Sequence, residues 1–190
     1  NTTYAYRVGV EGYWSEIGYF TTASDKDEPF TFLYMTDSHI MNQAYVDDAR
    51  MCATAAAEYV PDARFCVFPG DFVETGTNRN SEWEWERWFD EALRPVIQQM
   101  PIVPTDGNHD DSENLNYSYH FNTDNQFKEN AKVKPQFDGT TYSFMYGDVL
   151  FLVYSLQDYW KGAYSLTNGT STYLTNDVGN WFREQVAAHP

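Results

Sequence analysis

At 190 residues and 42% hydrophobic content, the chain is long enough to bury the core of one ordinary domain and too apolar to be disordered. Twelve basic against 28 acidic residues give a net charge of −16, which weighs against nucleic acid backbones and anionic membrane surfaces as partners. No stretch approaches the roughly 20 apolar residues of a membrane span, and the first residues lack the basic-then-apolar order of a secretory signal.

Residues 3–9 alternate around Tyr4, Tyr6 and Val8, and residues 13–22 return to strand composition after Glu11-Gly12, which predicts a hairpin within residues 1–23. A lone hairpin is marginal in water. It reads either as the remnant of an amino-terminal β-sandwich or as a strand pair docked on the main domain, with residues 24–29, dense in charge, as the linker. The main domain then runs from residue 30 to residue 190.

The run from Phe30 to Met35 has the pattern of a buried strand ending at Asp37, and residues 44–59, rich in Ala with Pro61 just beyond, predict the first crossover helix. Phe65 to Phe68 is the next strand, ending at Asp71. Ser81-Glu82-Trp83-Glu84 has the form of a capping box, and Trp85, Trp88, Phe89, Ala92 and Val96 follow at spacings of three or four. That periodicity predicts a second crossover helix whose Trp residues belong to the core. Pro101 to Pro104 is a short strand leading into Asp106-Gly107-Asn108. Residues 111–137 are polar and aperiodic, either a functional loop or an insertion. Residues 141–146 and 149–155 flank Gly147-Asp148, a hairpin signal. Residues 177–188 predict an amphipathic helix with Trp181, Phe182 and Val186 inward. Cys52 and Cys66 are too few for a disulfide framework and read as buried free thiols. An aromatic content of 18% with scarce Lys fits a secreted or cell-surface acidic hydrolase.

Three segments carry the chemistry: Asp37-Ser38-His39, Gly70-Asp71-Phe72-Val73-Glu74 and Gly107-Asn108-His109-Asp110. Each follows a β-prone run, and Asp37, Asp71 and Asn108 are separated by 34 and 37 positions, about one strand-helix-strand crossover each. Ligands of open α/β sheets gather outside the carboxyl ends of the strands, so these donors converge on one cation site. Asp37 and His39, two apart, offer a carboxylate and an imidazole to the same side, a pair that suits Fe, Zn or Mn. Gly70 permits a tight turn before Asp71, whose two oxygens are able to bridge two cations. The amide of Asn108 beside an imidazole and a carboxylate suits an anion-binding site. Asp110 and Asp111 read equally as solvated loop acids, and His120 as a surface residue.

In this order and spacing the three motifs resemble those of the calcineurin-like metallophosphoesterases. The branch resembled is that of the purple acid phosphatase-like proteins, because Tyr4-Ala5-Tyr6-Arg7-Val8-Gly9 and Trp14-Ser15-Glu16-Ile17 are similar to the last strands of the immunoglobulin- or fibronectin-like domain that precedes their catalytic domain. The resemblance implies an α/β fold, a layered β-sandwich flanked by helices and preceded by a remnant hairpin of that domain. It implies Asp37, His39, Asp71 and Asn108 as ligands of two di- or trivalent ions (Fe, Mn or Zn), with Asp71 bridging. His109 would lie outside the ligand set, beside the leaving-group oxygen, with Asp110 as its orienting partner. Glu74 stands where purple acid phosphatases carry a colour-giving tyrosine, and reads as an acceptor behind His39 or as a helix-start residue.

His189-Pro190 is not the family's fourth motif, a histidine at the end of a buried strand, because His189 closes an amphipathic helix; the final Gly-His-x-His-type motif has no counterpart. The expectation is therefore a fragment, incomplete at the carboxy terminus, that is poorly active by itself. The parent would be a metal-dependent phosphatase or phosphodiesterase acting on a small phosphorylated substrate; the sequence does not indicate an oligomeric state. The alternative is a non-catalytic extracellular binding module with a degenerate site, favoured by the missing histidines and the abundance of Tyr and Trp. A nuclease is disfavoured by the net charge.

Overall fold

In the amino-terminal segment, alternation gives four short strands: β1 (Thr3–Tyr6), β2 (Gly9–Val10), β3 (Tyr13–Trp14) and β4 (Gly18–Thr21). β1 pairs antiparallel with β4, and β2 with β3, so the ribbon turns at Gly12, whose φ of 87° is one that glycine adopts without strain. It docks on the main body where Tyr19 N and Tyr6 OH both donate to Gln98 O, at 3.3 and 3.4 Å, and Arg94 pairs with Glu16 at 2.8 Å. The computed structural model describes residues 1–26, 28–76, 81–110, 116–123, 126–127, 139–155 and 176–190. Most of the polar segment 111–137, including Asp111, lies outside the described residues.

The central sheet is parallel, in the order β5 (Leu33–Tyr34), β6 (Cys66–Phe68) and β7 (Ile102–Pro104). Helical crossovers join them, as parallel pairing requires. Successive residues of these strands face opposite sides. Leu33, Cys66, Phe68 and Ile102 pack into the helical core, whereas Val67 and Val103 pack with Phe65 against the opposite layer. That layer is the antiparallel hairpin of β8 (Tyr142–Tyr146) and β9 (Val149–Val153). It stacks on the sheet through Phe144 and Phe151, and Tyr142 OH donates to Pro104 O at 2.7 Å. The expected hairpin is thus a second layer, consistent with a layered architecture.

On the helical side, α1 (Gln43–Tyr59) starts one residue earlier than expected because the Asn42 side chain accepts from Ala44 N and Tyr45 N, at 2.9 and 3.4 Å. Its buried residues are Val46, Ala53 and Ala57, small enough for close approach to the sheet. The second crossover is not one regular helix. It runs as α2 (Glu82–Arg87), a π-turn at Trp88–Ala92 and α3 (Arg94–Ile97). The wider turn, closed by Leu93 N donating to Trp88 O at 2.9 Å, keeps Trp85, Trp88, Ala92, Leu93 and Val96 all fully buried. Trp85 and Trp88 are core, as the periodicity predicts, whereas Trp83 on the same helix is exposed. The capping box is not formed: Ser81 makes no side-chain cap, and Glu84 turns elsewhere.

Three further expectations change. His120, read as a surface residue, lies in α4 (Asn116–His120), stacks on Trp85 at 4.7 Å and sets Nε2 3.0 Å from Glu82. Burial pulls its imidazole below the ordinary value of 6.5, against the raising effect of Glu82. In α5 (Asn176–Ala188), Trp181 and Phe182 are partly buried but Val186 is exposed. Cys52 is exposed, while Cys66 is buried, both as free thiols.

Burial pushes the Cys66 thiol up to about 12. Only the thiolate attacks a disulfide reagent. Titration of the native protein with such a reagent near pH 8 should therefore modify Cys52 rapidly and Cys66 only after denaturation; two thiols reacting at one rate in the native state would contradict the packing.

Candidate metal centre

Parallel pairing brings the carboxyl ends of β5, β6 and β7 to one edge of the sheet, and the three motif loops leave from there. Beyond the regular strands the first two loops stay bonded. Asp37 N donates to Gly70 O (3.4 Å), His39 N to Asp71 O (3.0 Å) and Ile40 N to Phe72 O (3.3 Å). The loops of β6 and β7 touch through glycine: a Cβ on Gly70 would stand 2.3 Å from Gly107 N, and one on Gly107 would stand 2.1 Å from Asp71 Oδ1.

Among the described residues, the non-glycine positions with positive φ are Asp37 (59°), His39 (43°) and Asp71 (52°). Left-handed backbone at three such residues is strain that the surrounding bonds must hold, and such strain gathers at functional sites. The side chains so aimed converge. His39 Nε2 stands 3.6 Å from Asp37 Oδ1 and 3.6 Å from Asp71 Oδ2. Ligand atoms of His39, Asp71 and His109 all lie within 4.8 Å of one another, with the two rings edge-on at 4.6 Å.

Glu74 orients both imidazoles. His39 Nδ1 is 2.8 Å from Glu74 Oε2, and His109 Nδ1 is 2.8 Å from Glu74 O. A carboxylate and a carbonyl only accept, so each Nδ1 carries a proton, and the tautomer this selects has its lone pair on Nε2. The lone pair of His39 then faces two carboxylates at a distance too long for hydrogen bonds. Three acceptors turned on one point repel unless a cation lies between them. The donor set fits a metal ion of the imidazole- and carboxylate-binding kind. Asp37, His39 and Asp71 are the residues placed to hold it, with a ring nitrogen of His109 beside them.

The loops carry their own brace. Asp110 is fully buried, and its Oδ1 accepts from Phe72 N (2.9 Å) and Val73 N (3.2 Å) while Oδ2 accepts from Gly107 N (2.9 Å). Neither reading of Asp110 from the sequence survives: it is not a solvated acid, and its bonds go to backbone amides, not to the His109 ring. Burial pushes its carboxyl up to about 8, with the amides of Gly107 and Val73 pulling it back and the charges of Asp71 and Asp106 adding to the rise. A carboxyl raised in the fold above its ordinary 3.8 subtracts stability progressively as pH climbs from that value through 8.

The structure brings Asp37, His39 and Asp71 together. His109, expected outside the ligand set, has a ring nitrogen inside the donor cluster. Asn108, expected as a ligand, is exposed in the adjoining turn. Two participants went unread in the sequence, Glu84 and Ser38. Their only signals were an acid embedded between Trp83 and Trp85, and the serine between two candidate ligands.

The family model for calcineurin-like phosphoesterase matches residues 30–189. The chain belongs to the calcineurin-like phosphoesterase family. The purple acid phosphatase PPD1 from yellow lupin (Lupinus luteus) seeds has a similar fold, with a TM-score of 0.55 at 13% identity over 92% of this chain. The chain spans 31% of the length of that phosphatase. Comparison with curated protein sequences gave no match. The calcineurin-like phosphoesterase fold accounts for the parallel sheet, its helical layer and the site at the strand ends.

Gly70 and Gly12 separate two effects in this fold. Gly12→Ala places a Cβ in open space at a φ of 87°, whereas Gly70→Ala combines a φ of 100° with the collision at Gly107 N. Left-handed strain alone is of order 1–3 kcal/mol. Urea unfolding should show Gly70→Ala losing clearly more than Gly12→Ala; equal losses would mean that the two loops do not meet as described.

Proposed function

We propose that this chain is part of a hydrolase that cleaves phosphate esters at a dinuclear metal site built on the ends of β5, β6 and β7. The observation that carries the reading is the convergence of His39 Nε2, Asp37 and Asp71, with His39 Nδ1 turned outward to Glu74. Membership of the calcineurin-like phosphoesterase family supports the reaction class. When bound, Fe, Mn or Zn ions would supply Lewis acidity and an activated water at near-neutral pH.

The chain's residues divide the remaining work. Asp37, His39 and Asp71 would hold the ions, with Asn108, one residue before His109, available to the phosphate side. Asp71 Oδ1 accepts from His109 N at 3.1 Å, leaving Oδ2 toward His39 and the shared site. His109 keeps Nδ1–H bonded to Glu74 O, so Nε2 is the nitrogen that takes up a proton from solvent, forming the imidazolium, and then gives that proton to the departing alkoxide, which returns the ring to its neutral tautomer. The net charge of −16 opposes long polyanions and favours a small phosphorylated substrate drawn in by local cations.

The assignment separates ligand from proton donor. In the purified metal-loaded protein, His109→Asn should lower phosphate-ester turnover by about 10²–10⁴-fold with metal content retained, whereas Asp71→Asn should lose both. Metal analysis and hydrolysis of a chromogenic phosphate ester read the two quantities separately. A His109 variant emptied of metal beside a fully loaded Asp71→Asn would reverse the roles.

A further inference from the structure

Glu84 is a carboxylate only 2% exposed, on α2, ten residues after Glu74 at the end of the second motif. Its Oε2 accepts from Thr75 N at 2.8 Å and from Glu74 N at 3.1 Å, and its Oε1 accepts from Thr75 Oγ1 at 2.6 Å. Glu74 N also lies 3.3 Å from Ile40 O, so the amide is shared between the first loop and the helix. One turn further along, Trp88 Nε1 donates to Ser38 Oγ at 3.1 Å, and Ser38 Oγ donates to Phe72 O at 2.8 Å. Glu84 and Trp88 are four residues apart, on one face of the helix. A single helical face therefore grips the loop between Asp37 and His39 and the loop that carries Glu74.

We propose that Glu84 is a positioning residue of the site: by fixing the backbone of Glu74 and Thr75 it sets where the Glu74 carboxylate and carbonyl stand, and through them the tautomer and angle of His39 and His109. The inference rests on the reading of these imidazoles as a metal centre. A buried acid without this duty is hard to account for. Removing a carboxylate from water is costly unless its oxygens are satisfied, and among the described residues the donors to Glu84 belong to the one loop that holds both imidazoles. Partners that orient metal-binding imidazoles are typically worth 10–100-fold in metal affinity.

The test uses imidazole ¹⁵N resonances of the metal-free protein together with Mn(II) titration. In the parent protein His39 and His109 should show the Nδ1–H tautomer. Glu84→Gln presents an amide NH₂ to donors that need acceptors, and should move both rings toward averaged tautomers and weaken Mn(II) binding at least tenfold. Thr75→Ala, an exposed position that loses one of the three donors, should move the same signals part of the way and keeps the test open if Glu84→Gln does not fold. Phe151→Leu, on the opposite face of the sheet against Phe65 and Phe144, should lower thermal stability while leaving the His39 and His109 signals in place. Parental signals in both Glu84→Gln and Thr75→Ala would overturn the proposal, as would Phe151→Leu moving those signals as far as Glu84→Gln does. Should the parent protein bind no Mn(II), the metal-centre reading fails, and the imidazole signals alone decide whether Glu84 positions the rings.

Discussion

The contact on which the site depends is the one between the loops after β6 and β7, where Gly70 and Gly107 meet backbone to backbone and the Asp110 carboxylate spans both. No side chain larger than hydrogen fits at either glycine. Because the loops touch, Asp71 at the end of one reaches the amide of His109 at the start of the other, at 3.1 Å. Three amides on one buried carboxylate compensate part of its desolvation, and in return they fix the relative height of two strand ends.

That fixation is what tolerates the backbone strain. Asp37, His39 and Asp71 each occupy left-handed φ, a conformation that a lone L-residue leaves readily and that persists here because surrounding bonds over-determine it. Phe72 shows how the anchoring works: its ring packs on Trp88 at 5.0 Å in the core, its amide goes to Asp110, and its neighbour Asp71 is thereby turned outward to the site. Stability from the helical core and order in the metal centre are therefore the same packing seen from two sides. The donors themselves carry more negative charge than the two imidazoles offset, so the arrangement gains most when a cation joins it.

Much of this was legible in the sequence because it is local. Short apolar runs ending in Gly-Asp or Asp-Gly mark strand ends, a run of Ala with Pro61 just beyond it marks α1, and the spacing of Trp85 and Trp88 marks their burial. What escaped was long-range. The Ser81-x-x-Glu84 pattern is the same in letters whether Glu84 bonds back to its own helix or across to Thr75, and only the fold selects the second. Asp110 reads as a loop acid because nothing in its neighbours announces that two amides of the β6 loop will join that of Gly107 around it. His120 was taken for surface because it has no periodic partner, and its partner, Trp85, lies on another helix. The π-turn at Trp88–Ala92 is likewise a tertiary choice, made so that both ends of the helix present their apolar faces inward. His109 entered the donor cluster through a loop contact that spacing alone does not encode.

The account stands on the claim that His39 and Asp71 face a bound cation, and the most direct measurement is anomalous diffraction from crystals of the protein grown with Mn(II) or Zn(II). The account predicts an anomalous peak in contact with His39 Nε2 and Asp71, with Glu74 still bonded to His39 Nδ1. A saturated crystal with no peak there, or with the metal held elsewhere on the acidic surface, would contradict it.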